Sequence, residues 1–230
     1  MRKPCGLPEG KIADMKNVCK ICSNITREIH HKTFGIYHVC DCCGFISKDK
    51  EDHVSAQAQH TIYDSHHNSI EDPVYVEYFN HFLSEAVFPF VNEGRYGLDF
   101  GSGPSPVLAQ LLTETYGYDM EIYDLFYSPI KSYLSKTYDL ITVTEVVEHL
   151  EHPMIFFSLF RKHLKNDGIL SVMTQFHPFD DDEFLQWHYI RDRSHISFYT
   201  EQTFEIMAQM LDFNILYSDH RKFITFRKGV

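Results

Sequence analysis

The stretch Tyr96–Pro106, YGLDFGSGPSP, constrains the fold more than any other part of the chain. Its pattern predicts a strand, an acid at the end of the strand, a glycine-rich turn and the start of a helix. Glycines in such a turn let the backbone approach a ligand closely, and the first turn of a helix offers unpaired N–H groups. The stretch therefore predicts a nucleoside site at the end of a strand.

Strand and helix patterns alternate after this turn, which favours a doubly wound α/β sheet with a C-terminal antiparallel hairpin. We expect Gly168 to end a helix in a left-handed conformation. The predicted strands are 96–100, 120–123, 140–144, 169–174, 213–218 and 223–227, and the predicted helices are 106–114, 145–150, 153–164 and 200–211.

Two details favour S-adenosylmethionine (SAM) over NAD as the ligand of the glycine turn. Asp124 ends the neighbouring predicted strand, 23 residues after Gly101, where an acid can accept hydrogen bonds from the ribose of either cofactor. The third glycine of the dinucleotide pattern is missing, because position 106 is proline. Asp99 precedes the glycines, and its carboxylate suits a cationic amino acid moiety better than a pyrophosphate.

Over roughly residues 95–227 the chain resembles the class I SAM-dependent methyltransferases. The matching segments are LDFGSGP (98–104), Asp124, YDLITVTEVVEHL (138–150), LKNDGIL (164–170) and HISFYT (195–200). The resemblance implies a Rossmann-like sheet in which Asp99, Gly101 and Gly103 border the methionine part of SAM and Asp124 holds its ribose. About 14 residues separate Asp124 from Asp139, too few for the family's usual helix and strand, so the adenine contacts are not carried over.

Glu145, Glu148 and His149 have a spacing that places three side chains on one face of a helix. Such a set suits a divalent cation, magnesium or manganese, and His195 could complete it. The set resembles the Glu-x-x-Glu-His helix of two metal-using methyltransferase branches. One comprises the ubiquinone-biosynthesis O-methyltransferases, and the other the small-RNA 3′-terminal ribose methyltransferases, in which a further histidine precedes an aromatic–threonine pair. The alternative is a helix without metal, whose acids its dipole stabilises.

The resemblance further implies that Thr144 and Glu145 lie near the transferred methyl group. His177, after the predicted strand 169–174, is a candidate base or further ligand. The segment 180–199, which holds the only tryptophan, Trp187, is expected to overhang the pocket or to pack on the sheet edge. The catalytic candidates are Glu145, His149, His177 and His195.

Four of the six cysteines form two Cys-x-x-Cys pairs, Cys19/Cys22 and Cys40/Cys43, with 17 residues between them. This spacing predicts tetrahedral zinc, and four thiolates leave no open position, so the ion would be structural. We therefore expect a tail and zinc-ribbon-like module at 1–50, a helical connector or lid at 51–94, and a SAM-binding methyltransferase domain at 95–230.

Composition limits the function further. The formal net charge of −11 disfavours nucleic acid as a partner, and the sequence lacks a run apolar enough for a membrane span or a secretory signal. We expect a cytoplasmic methyltransferase acting on a small molecule, at a hydroxyl. The alternatives are an RNA methyltransferase that grips RNA with its zinc module, and a non-catalytic SAM-binding protein with a zinc docking module.

Overall fold

The computed structural model describes residues 18–64 and 69–229 of the 230-residue chain. Nearly all of the predicted N-terminal tail therefore lies outside the described residues. In chain order the strands are β1 (Arg27–His31), β2 (Gly35–Val39), β3 (Ile46–Lys48), β4 (Tyr96–Phe100), β5 (Asp119–Tyr123), β6 (Tyr138–Thr144), β7 (Leu164–Met173), β8 (Ser197–Phe198), β9 (Phe213–Ser218) and β10 (Phe223–Lys228). The α-helices are α1 (Ala56–Asp64), α2 (Pro73–Phe82), α3 (Val107–Tyr116), α4 (Pro153–His163), α5 (Asp181–Gln186) and α6 (Glu201–Leu211).

The central sheet has six strands in the order β5-β4-β6-β7-β10-β9. Strands β5, β4, β6 and β7 are parallel, whereas β10 runs antiparallel to both β7 and β9. Helices α3 and α4 make the crossovers from β4 to β5 and from β6 to β7. The predicted doubly wound α/β sheet with a C-terminal hairpin is confirmed. The carboxyl ends of the parallel strands meet at one edge, where such sheets bind ligands.

The connection from β5 to β6 is short, as the sequence indicates. It contains a turn closed by Asp124 and Ser128 and a single 3-10 turn at Ser132–Ser135. A helix and a strand are therefore missing at this place, and β5 forms the edge of the described sheet.

The prediction that Gly168 ends a helix in a left-handed conformation is wrong. Helix α4 ends at His163, and Gly168 lies inside β7 with φ outside the left-handed region. A Cβ at this position would lie 2.7 Å from the carbonyl oxygen of Tyr138 on β6. Glycine is needed here because two strands approach closely where the β6–β7 register shifts.

A second sheet joins the N-terminal segment to a distant part of the chain. Its antiparallel strands have the order β1-β2-β3-β8, and Ser47 on β3 pairs with Ser197 on β8. The 180–199 segment, which contains Trp187, is thus anchored to the N-terminal sheet. The shared apolar cluster includes Tyr37, Ile46, Phe184, Tyr189, Ile190 and Phe198.

Helix α2 forms the main part of the helical connector and continues into a π-helical turn, Leu83–Val87. Asp72 caps its first turn by accepting from the N–H groups of Val74 and Tyr75. The buried face contains Phe79 and Phe82, whereas Val74 is 77% exposed. In the part of the chain that the structure describes, no helix is long and apolar enough to cross a membrane.

Candidate functional site

The glycine turn after β4 packs against the segment that follows β6. Gly101 and Gly103 have φ of 88° and 66°, a region that glycine adopts without strain. The N–H groups of Gly101 and Ser102 donate to the carbonyl oxygen of Tyr123, at 2.6 and 3.2 Å, and tie the ends of β4 and β5 together. A Cβ on Gly101 would lie 2.1 Å from Cγ2 of Val146. Glycine therefore lets the two segments meet.

Asp124 lies beside the glycine turn. Its Oδ2 accepts a hydrogen bond from the N–H of Gly103 at 3.0 Å. Its Oδ1 accepts from the N–H groups of Phe126 and Tyr127, at 2.8 and 3.1 Å. A carboxylate has about four acceptor positions, so these three bonds leave capacity for a hydroxyl donor such as a ribose.

Asp99 is a buried acid on β4. Its side chain accepts a hydrogen bond from Oγ1 of Thr142 on β6, at 2.9 Å. Burial, together with the charge of Asp124, raises the pKa of Asp99 to about 7. A cationic group bound next to Asp99 would favour its ionised form.

Residues 145–149, here named the Glu–His turn, do not form the helix that their spacing predicts. Glu145 has a left-handed φ of 54°, and only Val147–His149 form a single 3-10 turn. The last residue of β7 and the residue before β8 bind this backbone instead. The N–H of Glu145 donates to the carbonyl of Met173, and the carbonyl of Glu148 accepts from the N–H of Ile196, both at 2.8 Å. These bonds replace the hydrogen bonds of a helix.

Three of the predicted metal ligands nevertheless converge. The ligand atoms of Glu148, His149 and His195, here named the Glu–His cluster, all lie within 4.8 Å of one another. Nδ1 of His149 faces the carbonyl of Ser194 at 3.1 Å, and Nδ1 of His195 faces that of Tyr189 at 2.8 Å. A carbonyl only accepts, so each Nδ1 carries the proton and each Nε2 keeps the lone pair that a metal needs. In the described residues, the buried Oε2 of Glu148 has no hydrogen-bond partner.

Glu145 lies beside this cluster and is held by two tyrosines. Its Oε1 accepts from the hydroxyl of Tyr78 on α2, and its Oε2 accepts from the hydroxyl of Tyr189, both at 2.8 Å. The Tyr189 hydroxyl also lies 2.6 Å from Oε1 of Glu148. Neither tyrosine is predicted from the sequence, because no spacing relates α2 or the turn His188–Arg191 to the Glu–His turn.

Burial sets the charge states of these groups. Burial, together with the neighbouring Glu148, raises the pKa of Glu145 to about 8. Burial also raises the pKa of Glu148. It lowers the pKa of His195 to about 3, helped by His149, whose own pKa is lowered by burial. Neutral imidazoles can bind a metal directly, whereas a protonated carboxyl group must first lose its proton to solvent.

Thr144 and His177 lie outside the cluster. Thr144 ends β6, opposite Met173 on β7. Nε2 of His177 lies 2.6 Å from the carbonyl oxygen of Gly44, and its Nδ1 lies 2.7 Å from that of Pro178. His177 therefore ties the segment after β7 to the cysteine-bearing segment, and burial lowers its pKa.

Helix α1 lies across the site through aromatic contacts. The ring of Tyr63 lies 5.2 Å from the ring of His149 and 5.7 Å from the ring of Phe126, between centroids. His60 also contacts Phe126, at 5.3 Å. The helix thus bridges the residues after β5 and the Glu–His cluster, as a lid would.

The four cysteines of the two Cys-x-x-Cys pairs form one buried cluster. The Sγ atoms of Cys19 and Cys43 lie 3.5 Å apart, and those of Cys22 and Cys40 lie 3.4 Å apart. Tetrahedral zinc with bonds of about 2.3 Å requires sulfur–sulfur distances of roughly 3.8 Å. The donor set and its size therefore fit zinc. Gly44 follows with a left-handed φ of 76°.

The fold and the site together define the class of SAM-dependent methyltransferases. Within it, the chain belongs to a family of methyltransferase domains, whose model matches residues 75–218. A search of curated proteins gave no match.

Solved structures share this fold. An O-methyltransferase family protein from Burkholderia thailandensis has a TM-score of 0.52 at 10% identity, with 76% of this chain and 60% of that chain covered. The mitomycin 7-O-methyltransferase MmcR has a TM-score of 0.50 at 12% identity, with 75% and 66% covered. The chain thus spans less than two thirds of either protein, and at these identities the likeness shows the fold alone.

Proposed function

We propose that this protein transfers the methyl group of SAM to a hydroxyl of a small molecule, and that the Glu–His cluster holds a divalent cation at the acceptor. The observation that supports the proposal is the convergence of Glu148, His149 and His195 beside the glycine turn. Val146, inside the Glu–His turn, packs on Gly101. The donor site and the acceptor site would therefore adjoin.

The residues around the glycine turn would hold the donor. We assign Asp99, Gly101 and Gly103 to the methionine part of SAM, Asp124 to its ribose, and Thr144 to the neighbourhood of the methyl group. In the transfer, a bond forms between the acceptor oxygen and the methyl carbon as the sulfur–carbon bond breaks, which leaves S-adenosylhomocysteine. The protein contributes chiefly by alignment.

The acceptor hydroxyl must also lose its proton. Glu145 is our candidate base, because its pKa of about 8 lies near the working pH, where a general base is most effective. We propose that His149 and His195 would bind the cation, and that the cation in turn would bind the acceptor hydroxyl. His177 serves instead to dock the cysteine segment, since both its nitrogens face carbonyl oxygens.

The donor set of the Glu–His cluster combines one carboxylate with two imidazoles. Magnesium prefers an oxygen shell, whereas imidazole suits first-row transition metals. We therefore favour manganese over magnesium. When bound, the ion would lower the pKa of the acceptor hydroxyl and fix its position.

We also propose that Cys19, Cys22, Cys40 and Cys43 bind a structural zinc ion. The four sulfur atoms form a closed set without a position for substrate.

A second acceptor class is the ribose at the 3′ end of an RNA. One observation favours it: His195 joins Glu148 and His149, as the resemblance to the small-RNA branch implies. The net charge of −11 opposes tight RNA binding. Methylation of a short RNA with a free terminal diol, compared with a catechol, separates the two classes.

Formation of S-adenosylhomocysteine tests the proposal. Purified protein is treated with chelator and assayed with catechols and vicinal diols, with and without manganese. We expect turnover that needs both the acceptor and the ion. Calorimetry with SAM and NAD tests the cofactor, and binding of NAD without SAM would refute the proposal.

A pair of variants tests whether the Glu–His cluster binds a cation or is only structural. Glu148→Gln removes a proposed ligand with little change of shape, and we expect at least a hundredfold loss of manganese-dependent turnover. The control is Glu151→Gln, three residues further on, where the side chain pairs with Lys50 at 3.0 Å. If Glu148→Gln kept the parent's rate and its response to manganese, the cluster would be structural.

A further inference from the structure

Tyr189 makes more contacts with the Glu–His turn and cluster than packing alone requires. Its hydroxyl lies 2.8 Å from Oε2 of Glu145, 2.6 Å from Oε1 of Glu148 and 3.4 Å from Oγ1 of Thr174. One phenol therefore sets the separation of two carboxyl groups that come from opposite ends of the Glu–His turn. It occupies Oε1 of Glu148 and leaves Oε2 as the atom without a partner in the described residues.

The same residue also orients a histidine of the cluster. The backbone carbonyl of Tyr189 accepts from Nδ1 of His195 at 2.8 Å. The two rings lie 4.1 Å apart between centroids. Both contacts orient the imidazole so that Nε2 is the nitrogen available to an ion. The acid on this side is Asp192, whose Oδ2 lies 3.6 Å from Nε2. Groups that orient metal ligands in this way change metal affinity by about 10- to 100-fold when removed.

We propose that Tyr189 is a positioning residue that holds Glu148 and His195 in the geometry required by the cation. The inference rests on the proposed function, because it presupposes that the Glu–His cluster binds an ion. The competing explanation is packing, since Tyr189 is 7% exposed and belongs to the apolar cluster of the small sheet. The two explanations differ in what the hydroxyl does.

The chain offers a matched control. Tyr37 belongs to the same apolar cluster and is fully buried, and its hydroxyl has no hydrogen-bond partner in the described residues. Tyr189→Phe and Tyr37→Phe each remove one buried hydroxyl and keep the ring. Only the first change removes contacts with proposed metal ligands.

Manganese affinity, measured by electron paramagnetic resonance on protein without substrate, is the main measurement. We expect Tyr189→Phe to weaken manganese binding about 10- to 100-fold, whereas Tyr37→Phe stays within twofold of the parent. SAM affinity, measured by calorimetry, should be unchanged in both variants. In thermal unfolding without metal, Tyr189→Phe should melt at a somewhat lower temperature than Tyr37→Phe, because only the Tyr189 hydroxyl makes hydrogen bonds, within the described part of the chain, that are lost.

Two results would overturn the proposal while the parent binds manganese. One is a Tyr189→Phe affinity within twofold of the parent, which would make the hydroxyl irrelevant to the ion. The other is a lower melting temperature with weaker manganese and SAM binding alike, which would make Tyr189 a packing residue. A parent that binds SAM but not manganese would instead refute the cation of the proposed function, and this inference with it.

Discussion

Glu145 combines a rare backbone conformation with a half-buried carboxyl group whose pKa is raised. Its φ of 54° costs a residue other than glycine roughly 1 kcal/mol, and such strain concentrates at functional sites. Hydrogen bonds from Tyr78 and Tyr189 hold the side chain in place. At this scale the site is a set of buried groups whose protonation a bound ligand would change.

The first prediction concerns pH. Burial raises the pKa of the proposed ligand Glu148, and it raises the pKa of the neighbouring Glu145 to about 8. A cation bound at the cluster would therefore displace protons from these acids. We expect manganese affinity to rise by about tenfold per pH unit between 6.5 and 8 where one proton is displaced. Manganese titrations at several pH values measure it, and a flat profile would contradict it.

The stability of the metal-free protein should fall as the pH rises, whereas the manganese affinity rises. A folded acid with a raised pKa binds more protons than the unfolded chain, so its contribution to stability is lost as pH rises through the folded value. We expect the melting temperature of chelated protein to fall between pH 6.5 and 8.5, and manganese to reverse the fall. The variant Glu145→Gln should show a weaker fall.

Gly101 carries the second prediction at this scale. Gly101→Ala would place a Cβ 2.1 Å from Val146 at a positive φ, so we expect SAM affinity to fall at least tenfold. The control is Gly117→Ala, which has a similar φ of 69° and nothing within 4 Å. It should cost about 1 kcal/mol of stability and leave SAM binding unchanged. Calorimetry and thermal unfolding give both values; equal SAM affinities would contradict the close packing.

At the scale of elements, the sequence predicts what local pattern determines. The strands of the central sheet lie close to their predicted positions, except that β7 begins at Leu164 instead of residue 169. The capped helix α6 lies where it is predicted. Hydrophobic periodicity and Thr200 at the helix start are local signals. The Glu–His turn is not helical because its backbone bonds to Met173 on β7 and to Ile196, the residue before β8. The roles of Tyr78 and Tyr189 cannot be predicted from the sequence for the same reason, because their contacts depend on how distant elements pack together.

His177 connects two elements and supports a third prediction. Its Nε2 faces the buried carbonyl of Gly44 and its Nδ1 faces the partly buried carbonyl of Pro178. A neutral imidazole donates to only one of them, so His177→Ala removes one hydrogen bond to a carbonyl. An unpaired buried carbonyl costs about 1–3 kcal/mol, and we expect the unfolding free energy to fall by about that amount. Urea unfolding measures it. The control is His220→Ala, an exposed histidine paired with Glu201, which should change stability little.

At the scale of the whole molecule, the cysteine cluster and the Glu–His cluster are connected by backbone. Strand β3 follows the second cysteine pair, and the N–H of Lys48 donates to the carbonyl of Ile196 at 2.9 Å. The N–H of Ile196 in turn donates to the backbone carbonyl of Glu148. The sequence predicts each cluster separately; it does not predict this path, because the β3–β8 pairing joins residues that no local pattern relates.

This path supports a fourth prediction. Removing zinc with a mercurial reagent and chelator should loosen β3 and β8, and weaken manganese binding at the Glu–His cluster. Zinc content by absorption spectroscopy and manganese affinity by resonance are measured on the same sample, with SAM affinity as the internal reference. A zinc-free protein with the parent's manganese affinity would show that the two clusters are independent.

The pairing of β3 with β8 also orders events in time during synthesis. Residue 47 leaves the ribosome 150 residues before its partner at 197, a delay of about 8–30 s at roughly 5–20 residues per second. Until then the nascent sheet has only β1, β2 and β3, with one edge open to wrong partners. The four cysteines all lie within residues 19–43 and can clamp this early sheet before the rest of the chain exists.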